Sequence, residues 1–260
     1  MAPHALVEYA GDTNVGMKRN HNEDFFSVFE DESLYIVADG MGGHASGEVA
    51  SKMAVETLRE FFSATSADPE VTWPYKMDRS RGYEENRLIT GVKLANLRIY
   101  EAAQREPKYR GMGTTVCVLF FVEGGAYIGH VGDSRVYRIR GPKMTQVTED
   151  HSLLNDYIKM KKLTEWEIQN FPHKNVIVRA LGMKETVKVD TLYETPEPGD
   201  MFLLCSDGLS GMIDDAHIVE IVTAAPDLKT AVANLIARAN ENGGVDNVSV
   251  ILARWLGTSG

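Results

Sequence analysis

Seven short runs rich in Val, Ile, Leu and aromatic residues constrain the fold of this 260-residue chain more than any other feature. Runs of this length and composition are typical of β-strands. Tight glycine turns, such as Glu123-Gly124-Gly125, join several of them, which indicates antiparallel pairing. The predicted strands cover residues 34–38, 115–122, 125–130, 135–140, 187–193, 201–205 and 248–254.

Longer segments between and after these runs carry apolar residues at helical spacing. They predict helices over residues 47–62, 84–104, 216–224 and 228–239. Because no Gly/Ser linker, internal repeat or long charge block divides the sequence, we interpret residues 1–260 as one domain with an α+β architecture.

Two segments are expected to be less regular. Residues 151–182 have mixed polarity and short elements, which is typical of a mobile excursion from a globular domain. Within them, Thr164 and Glu167 have the spacing of a capping box that opens a short helix. Residues 63–82 contain two prolines and are expected to form a surface connection.

The charge and composition exclude several classes of protein. A formal net charge of −10 argues against a general nucleic-acid binder and against an anionic membrane surface, because both partners need a basic face. The longest apolar run, residues 116–122, is too short to span a bilayer, and the N-terminus has no signal-peptide pattern. We therefore expect a cytoplasmic protein that contacts neither nucleic acid nor membrane.

The two cysteines, Cys117 and Cys205, lie in strand-like runs and are expected to be buried, reduced thiols. Neither is followed by an arginine six residues later, which excludes the thiolate-and-arginine loop of cysteine phosphatases.

Aspartates stand at the ends of four predicted strands. Asp39 follows LYIVA, Asp133 follows IGHVG, Asp207 follows MFLLCS, and Asp246 precedes VSVILA. One aspartate at a strand end is a common turn residue. Four would converge if the strands packed face to face, and a divalent cation would relieve their repulsion. Because these aspartates supply only oxygen ligands, we expect Mg²⁺ or Mn²⁺ in preference to Ca²⁺. The adjacent Gly40 would let a backbone carbonyl approach the ion.

A charged segment upstream, RNHNED, begins at Arg19 and ends with Glu23 and Asp24. It is either a solvated loop or part of the same site. In the second interpretation Arg19 binds an anion through its planar guanidinium, and the two acids order metal-bound water. Metals together with an anion-binding arginine indicate phosphoryl chemistry.

The segment GMGGHA, residues 40–45, also fits a dinucleotide-binding fingerprint between a strand and a helix. Two features oppose that alternative: Asp39 would repel a pyrophosphate, and the chain indicates antiparallel hairpins rather than βαβ units. Residues 42–47 have the glycine spacing of a P-loop, but Glu48 stands where its lysine is required.

Eight motifs together resemble the protein phosphatase 2C family of metal-dependent serine/threonine phosphatases (the PPM family), especially its bacterial-type branch. They are RNHNED, VADGMGGHASGEVAS, GMGTT, GHVGDSRVYRIR, EDHSLL, RALG, LLCSDGLSGMI and DNVSVIL, in the family's order and spacing over about residues 8–255. The resemblance implies a four-layer α/β/β/α sandwich of two packed antiparallel sheets flanked by helices. A two-metal site would lie at one edge of the sandwich.

The resemblance also implies the metal ligands. Asp39 would bridge both metals, and the Gly40 carbonyl would complete the coordination of one of them. Asp207 and Asp246 would hold the other metal. Asp133 matches the family's weaker third-metal position, which it would share with Asp207. Residues 151–182 occupy the place of the variable flap that lies beside the site in bacterial relatives.

The remaining roles concern water, substrate and proton transfer. Glu23 and Asp24 would act on coordinated waters, and Arg19 would bind the substrate phosphate. Some relatives place a histidine, proposed to protonate the leaving group, where this chain has Met41. The general acid is therefore open between His44 and a metal-bound water.

The implied reaction is hydrolysis of phosphoserine and phosphothreonine by direct attack of a water or hydroxide shared between Mn²⁺ or Mg²⁺ ions. The implied partners are phosphorylated proteins, including Ser/Thr kinases and their substrates in signalling, and the protein is expected to be a monomer. Three alternatives remain: a metal-free phosphoprotein-binding adaptor of the same fold, a calcium-binding module, and a related phosphatase acting on regulators of transcription.

Overall fold

The apolar runs form the strands of two antiparallel sheets in the computed structural model, which describes residues 5–42, 46–68, 71–160, 163–172 and 176–258. The strands are β1 (Ala5–Asn14), β2 (Asp24–Phe29), β3 (Leu34–Met41), β4 (Gly113–Thr114), β5 (Val116–Val122), β6 (Gly125–Val131), β7 (Arg135–Arg140), β8 (Lys143–Gln146), β9 (Asp190–Glu194), β10 (Met201–Cys205) and β11 (Val248–Thr258). One sheet has the order β1-β11-β10-β7-β8. The other has the order β2-β3-β5-β6-β9, with β4 paired to β3.

Seven helices complete the described part of the chain. They are α1 (Ser46–Ala67), α2 (Tyr83–Arg105), α3 (Leu153–Met160), α4 (Glu165–Gln169), α5 (Asp207–Ser210), α6 (Asp215–Ala224) and α7 (Leu228–Glu241). The capping box at α4 forms as predicted, since the side chains of Thr164 and Glu167 each accept the other's backbone N–H. None of the helices described is both long and apolar enough to cross a membrane.

Each central strand is buried on both faces, which explains its nearly continuous apolar sequence. In β3, Leu34, Ile36 and Ala38 belong to the core under α1 and α2. The alternate residues, Tyr35 and Val37, belong to the core between the two sheets. On the opposite side, α6 and α7 cover β10 and β11. These three cores separate the four layers of the expected α/β/β/α sandwich.

The structure contains four strands that the sequence pattern did not predict: β1, β2, β4 and β8. Most residues of β1 and β2 are only partly buried, and polar residues interrupt their apolar ones, so neither forms the continuous apolar run of a central strand. The bounds of several segments also differ from expectation: β3 continues to Met41 and β11 to Thr258. Helix α1 continues to Ala67, so the connection predicted to begin at residue 63 begins five residues later, and β9 begins at Asp190 rather than at residue 187.

Candidate metal centre

The strand ends bring five carboxylates to one edge of the sandwich. Asp24 in β2 lies opposite Asp39 in β3. Asp133 follows β6, Asp207 opens α5 directly after β10, and Asp246 precedes β11. The charges of the other four all act on Asp39. These residues, far apart in the sequence, therefore form one acidic cluster.

Burial and mutual repulsion disfavour the charged form of these groups. Burial raises the pKa of Asp39 well above its usual range, and its four acidic neighbours raise it further. Burial and the charge of Asp246 raise the pKa of Asp207, while a hydrogen bond with Asp39 partly offsets this. Asp133 is only 8% exposed, and burial followed by the charge of Asp207 raises its pKa to about 7. The cluster needs positive charge, from protons or from a cation, to be stable.

Asp24 is more deeply buried than Glu23, the other acid expected to act on metal-bound water. Its side chain is 5% exposed, and Ser206 Oγ donates to its Oδ2 at 2.8 Å. Burial raises the pKa of Asp24, although its hydrogen bonds to Ser206 and Ser249 oppose the rise. Ser206 also accepts the Ser249 N–H at 2.9 Å, so it links Asp24 to β11.

The donor set fits a hard divalent cation. Asp133 Oδ1 is buried and has no hydrogen-bond partner, which is rare for a carboxylate oxygen unless a cation or water completes its contacts. All the side chains that converge here offer oxygen, the ligand type that Mg²⁺ and Mn²⁺ prefer. Among the described residues no three His, Cys, Asp or Glu side chains form a preassembled metal cage.

Gly40 is required by close packing of three backbone segments. A Cβ at this position would lie 2.2 Å from the carbonyl oxygen of Gly47 and 2.4 Å from that of Glu23. The Gly40 N–H donates to that same Glu23 oxygen at 3.1 Å. A side chain would thus push apart β3, the start of α1 and the acidic segment. The dinucleotide alternative finds no support, because every pairing between the described strands is antiparallel.

Glu23 is held by both its backbone and its carboxylate. The Gly47 N–H at the start of α1 donates to Glu23 Oε1 at 3.1 Å, and Ser51 Oγ donates to the Glu23 carbonyl at 2.6 Å. The partial positive charge of a helix N-terminus favours a carboxylate at this place.

Asn247 organises the segment before β2, a role that the sequence reasoning missed. Its Oδ1 accepts the Glu23 N–H at 2.8 Å, and its Nδ2 donates to the carbonyls of Val15 and His21, both at 2.9 Å. A polar residue directly before a largely apolar strand was the available signal. Its position beside Asp246 links that carboxylate to the acidic segment.

Arg19 lies at the rim of the cluster. Its Nη2 donates to Asp246 Oδ2 at 2.7 Å, and its side chain is 50% exposed. The guanidinium is also within the electrostatic reach of Glu23 and Asp39. The predicted phosphate-binding arginine is therefore present beside the carboxylates, but it is paired with one of them.

Two further residues named in the sequence analysis can be placed only in part. Met41 ends β3, is partly buried and pairs with Gly113 of β4. His44 lies outside the described residues. In α3 of the flap, Lys159 Nζ lies 2.9 Å from Glu149 Oε1.

A cavity of about 420 Å³ opens beside the acidic cluster. It lies between the flap and α5, and its walls combine acidic, polar and apolar side chains with one basic residue, Arg135. They include Asp133, Asp150, Leu154, Asp207, Met212 and Asp246.

Comparison with known proteins identifies the family. The family profile described as Protein phosphatase 2C matches residues 17–257. Serine/threonine phosphatase stp of Listeria innocua is 36% identical over 247 residues, covering 92% of each chain. The crystal structure of serine/threonine phosphatase Stp1 from Staphylococcus aureus matches with a TM-score of 0.86 and 31% identity, covering 99% of this chain and 98% of that one. The catalytic domain of PstP in complex with two manganese ions matches with a TM-score of 0.79 and 31% identity, covering 96% and 99%.

The fold and the acidic edge define a four-layer phosphatase of the metal-dependent class. The chain belongs to the protein phosphatase 2C family, and its curated relatives are bacterial. The family, the fold and the class of enzyme expected from the sequence motifs are thereby confirmed.

Proposed function

We propose that this chain hydrolyses phosphoserine and phosphothreonine in proteins, at a site where Asp39, Asp207 and Asp246 hold two divalent cations, Mn²⁺ or Mg²⁺. The observation that carries the proposal is the position of Asp39, a carboxyl group whose pKa is raised by burial and by four neighbouring aspartates. Cations bound there would lower the pKa of water and stabilise negative charge on a phosphoryl group.

The protein groups around this position have distinct proposed roles. Arg19 would bind the substrate phosphate, exchanging its exposed pairing with Asp246 for two parallel hydrogen bonds to phosphate oxygens. Glu23 and Asp24 would accept hydrogen bonds from waters on the cations. Asp133, with its unpartnered oxygen, would hold a weaker third cation together with Asp207. The Gly40 carbonyl would complete the coordination of one of the two principal ions.

The cavity beside the cluster would receive the chain segment that flanks the phosphorylated residue. Its position between the flap and α5 allows a peptide to reach Asp207 and Asp246 from one side. We further propose that the substrates include Ser/Thr kinases and the proteins they phosphorylate, and that the enzyme acts as a cytoplasmic monomer.

The test is hydrolysis of p-nitrophenyl phosphate and of phosphothreonine peptides by chelator-treated protein, with Mn²⁺, Mg²⁺ or Ca²⁺ added back. We expect Mn²⁺ or Mg²⁺ to restore turnover in the wild type and in Asp31→Asn, whose exposed carboxylate lies beyond the opposite end of β3. Asp39→Asn should be inactive, because this change disturbs both cation positions. Full activity of Asp39→Asn would contradict the proposed metal centre.

The same assay, together with measurements of Ca²⁺ and phosphopeptide binding, separates the two non-catalytic alternatives. A calcium-binding module would bind Ca²⁺ without turnover under any condition. A metal-free adaptor would bind phosphopeptide equally well in the wild type and in Asp39→Asn. Metal-restored turnover that Asp39→Asn lacks would exclude both.

A further inference from the structure

His151 joins the base of the flap to the loop that carries Asp133. The His151 N–H donates to the Gly132 carbonyl at 2.8 Å, and the Gly132 N–H donates to His151 Nδ1 at 3.0 Å. The imidazole is 6% exposed. Gly132 directly precedes Asp133, so these two hydrogen bonds fix the backbone from which that carboxylate extends.

The hydrogen bonds define the protonation of the ring. Because Nδ1 accepts a backbone N–H, we assign the ring proton of His151 to Nε2, which donates to Asp190 Oδ2 at 2.9 Å. Arg179 Nη1 lies 2.8 Å from the same Nε2, and because a guanidinium only donates, we assign its hydrogen to the Asp190 carboxylate rather than to the ring. Arg179 and Lys188 are ion-paired with the same carboxylate at 3.1 and 3.2 Å. Burial lowers the pKa of His151 despite this carboxylate, which favours the neutral acceptor.

The opposite side of the Asp133 loop is also fixed. Gly132 has a φ of +117°, and a Cβ there would lie 2.5 Å from Thr115 Cβ. Ser134 Oγ lies 2.6 Å from Thr115 Oγ1, which also accepts the Asp39 N–H at 3.0 Å. Thr115 thus couples the loop to Asp39, while His151 couples it to the flap.

The flap base is a short antiparallel pairing that includes His151. The Val178 N–H donates to the His151 carbonyl at 2.9 Å, and the Leu153 N–H donates to the Val176 carbonyl at 2.8 Å. Ser152 forms a β-bridge with Ile177. Movement of this pairing would therefore act directly on Gly132.

We propose that His151 is a positioning residue, whose neutral imidazole holds the Gly132 amide and thereby keeps Asp133 in place for a divalent cation. This rests on the proposed role of Asp133 as a metal ligand. It extends that role by naming the group that supports the ligand and connects it to the flap. Partners that orient metal ligands are typically worth about 10–100-fold in metal affinity.

Two substitutions separate the two contacts of the ring. In His151→Asn the side-chain oxygen stands near the place of Nδ1, so it can accept the Gly132 N–H but cannot reach Asp190. In His151→Gln the amide reaches the place of Nε2, so it can bond Asp190 but leaves Gly132 without its acceptor. Both variants remove the aromatic ring, which stacks on His130 at a centroid distance of 4.3 Å.

Mn²⁺ binding to metal-free protein, measured by titration calorimetry, is the first readout. We expect His151→Gln to weaken the weaker Mn²⁺ site about 10–100-fold, and His151→Asn to retain the wild-type affinity. Asp133→Asn is the reference that loses this site. Equal weakening in both His151 variants, accompanied by equal losses of melting temperature, would show a merely structural role and overturn the proposal. If Asp133→Asn binds Mn²⁺ like the wild type, the assignment of Asp133 fails, and the His151 proposal fails with it.

Amide hydrogen exchange of Gly132, measured by NMR on metal-free protein, is the second readout. It tests the hydrogen bond from the Gly132 N–H to His151 Nδ1 directly. We expect protection in the wild type and in His151→Asn, and faster exchange in His151→Gln. Fast exchange in the wild type would show that the imidazole does not hold this amide, and the proposal would be wrong even if a variant failed to fold.

Discussion

At the scale of single residues, Arg19 has an exposed side chain whose ion pair with Asp246 is weak. Its ion pair with Asp246 is partly exposed, and such pairs are typically worth about 0–1 kcal/mol. A phosphate dianion can therefore displace Asp246 from the guanidinium at little cost, and it offers two oxygens to the planar donor groups.

We predict that Arg19→Ala lowers kcat/KM for a phosphopeptide by roughly 10–100-fold, the loss expected for about 1.5–3 kcal/mol of charged hydrogen bonding. Most of the effect should be in KM, because the metal ligands remain. Steady-state kinetics at saturating Mn²⁺ would measure it. Arg105→Ala, which removes an exposed arginine from α2, is the matched control and should behave like the wild type. Unchanged KM in Arg19→Ala would remove this residue from the phosphate site.

At the scale of elements, the helices of the flap are less buried than its base. Helices α3 and α4 have no fully buried residue among those described, whereas the flap base is hydrogen-bonded to the Asp133 loop. Residues 159–162, KMKK, form a basic run in the flap that would suit an acidic peptide. Lys159 is ion-paired with Glu149, and Lys161 and Lys162 lie outside the described residues.

We predict that replacing residues 156–174 by a short Gly/Ser linker changes the preference among phosphopeptides more than the turnover of p-nitrophenyl phosphate. The replacement keeps the paired base at residues 151–153 and 176–178, so the support of Asp133 is retained. A panel of phosphopeptides that differ in flanking charge would measure the change. Parallel loss of activity toward all substrates, large and small, would argue against a role of the flap in selection.

The turn before β10 contains an ion pair that links it to the end of β7. Arg140 Nε and Nη2 donate to the two oxygens of Asp200 at 2.7 and 2.6 Å, and the Glu197 N–H donates to the same carboxylate at 2.8 Å. Burial alone would raise the pKa of Asp200, but these hydrogen bonds outweigh it and lower the pKa.

A lowered pKa in the folded state means that the ionised carboxylate of Asp200 stabilises the fold above its unfolded pKa, near 4. This contribution is lost as the pH falls through the lower folded value. We predict that Asp200→Asn lowers the melting temperature at pH 7, and that the difference from the wild type shrinks below about pH 4. Thermal unfolding across this range would measure it, with Asp31→Asn as the control for removing one exposed negative charge. A difference that is constant with pH would contradict the interpretation.

At the scale of the whole molecule, the acidic cluster couples metal binding to stability. The carboxylates come from both sheets, and in the unfolded chain they are far apart. A cation at the cluster therefore binds the folded state and not the unfolded one.

We also propose that residues 1–260 fold as a single domain, because one core between the sheets contains residues of both.

We predict that Mn²⁺ at about 100 times its dissociation constant stabilises the metal-free protein by about 2.7 kcal/mol. At roughly 2–4 °C per kcal/mol for a chain of this size, the melting temperature should rise by about 5–10 °C. Asp39→Asn should lose most of this shift, whereas Asp31→Asn should keep it. Differential scanning calorimetry with and without Mn²⁺ would decide, and an equal shift in Asp39→Asn would locate the binding elsewhere.

Strong local patterns in the sequence predicted the central strands, the long helices and the acids at the strand ends. Strands β3, β5, β6, β10 and β11 are buried on both faces, so their apolar runs stand out without any knowledge of their neighbours. The capping box before α4 is equally local, since its two residues are three positions apart. By contrast, most residues of β1 and β2 are only partly buried, and their place in the sheets is defined by pairing with β11 and β3.

The residue types available for chemistry can be read from the chain alone: aspartates beside apolar strands, one arginine in an acidic segment, and no reactive cysteine. Which of these residues contact one another depends on the packing of the folded chain. Asn247 bonding Glu23, Thr115 joining Asp39 to Ser134, and His151 accepting the Gly132 amide are all contacts across long stretches of chain. The local sequence pattern predicts whether a side chain is buried, but it does not predict which residue the side chain contacts. That partner depends on how the four layers pack against one another.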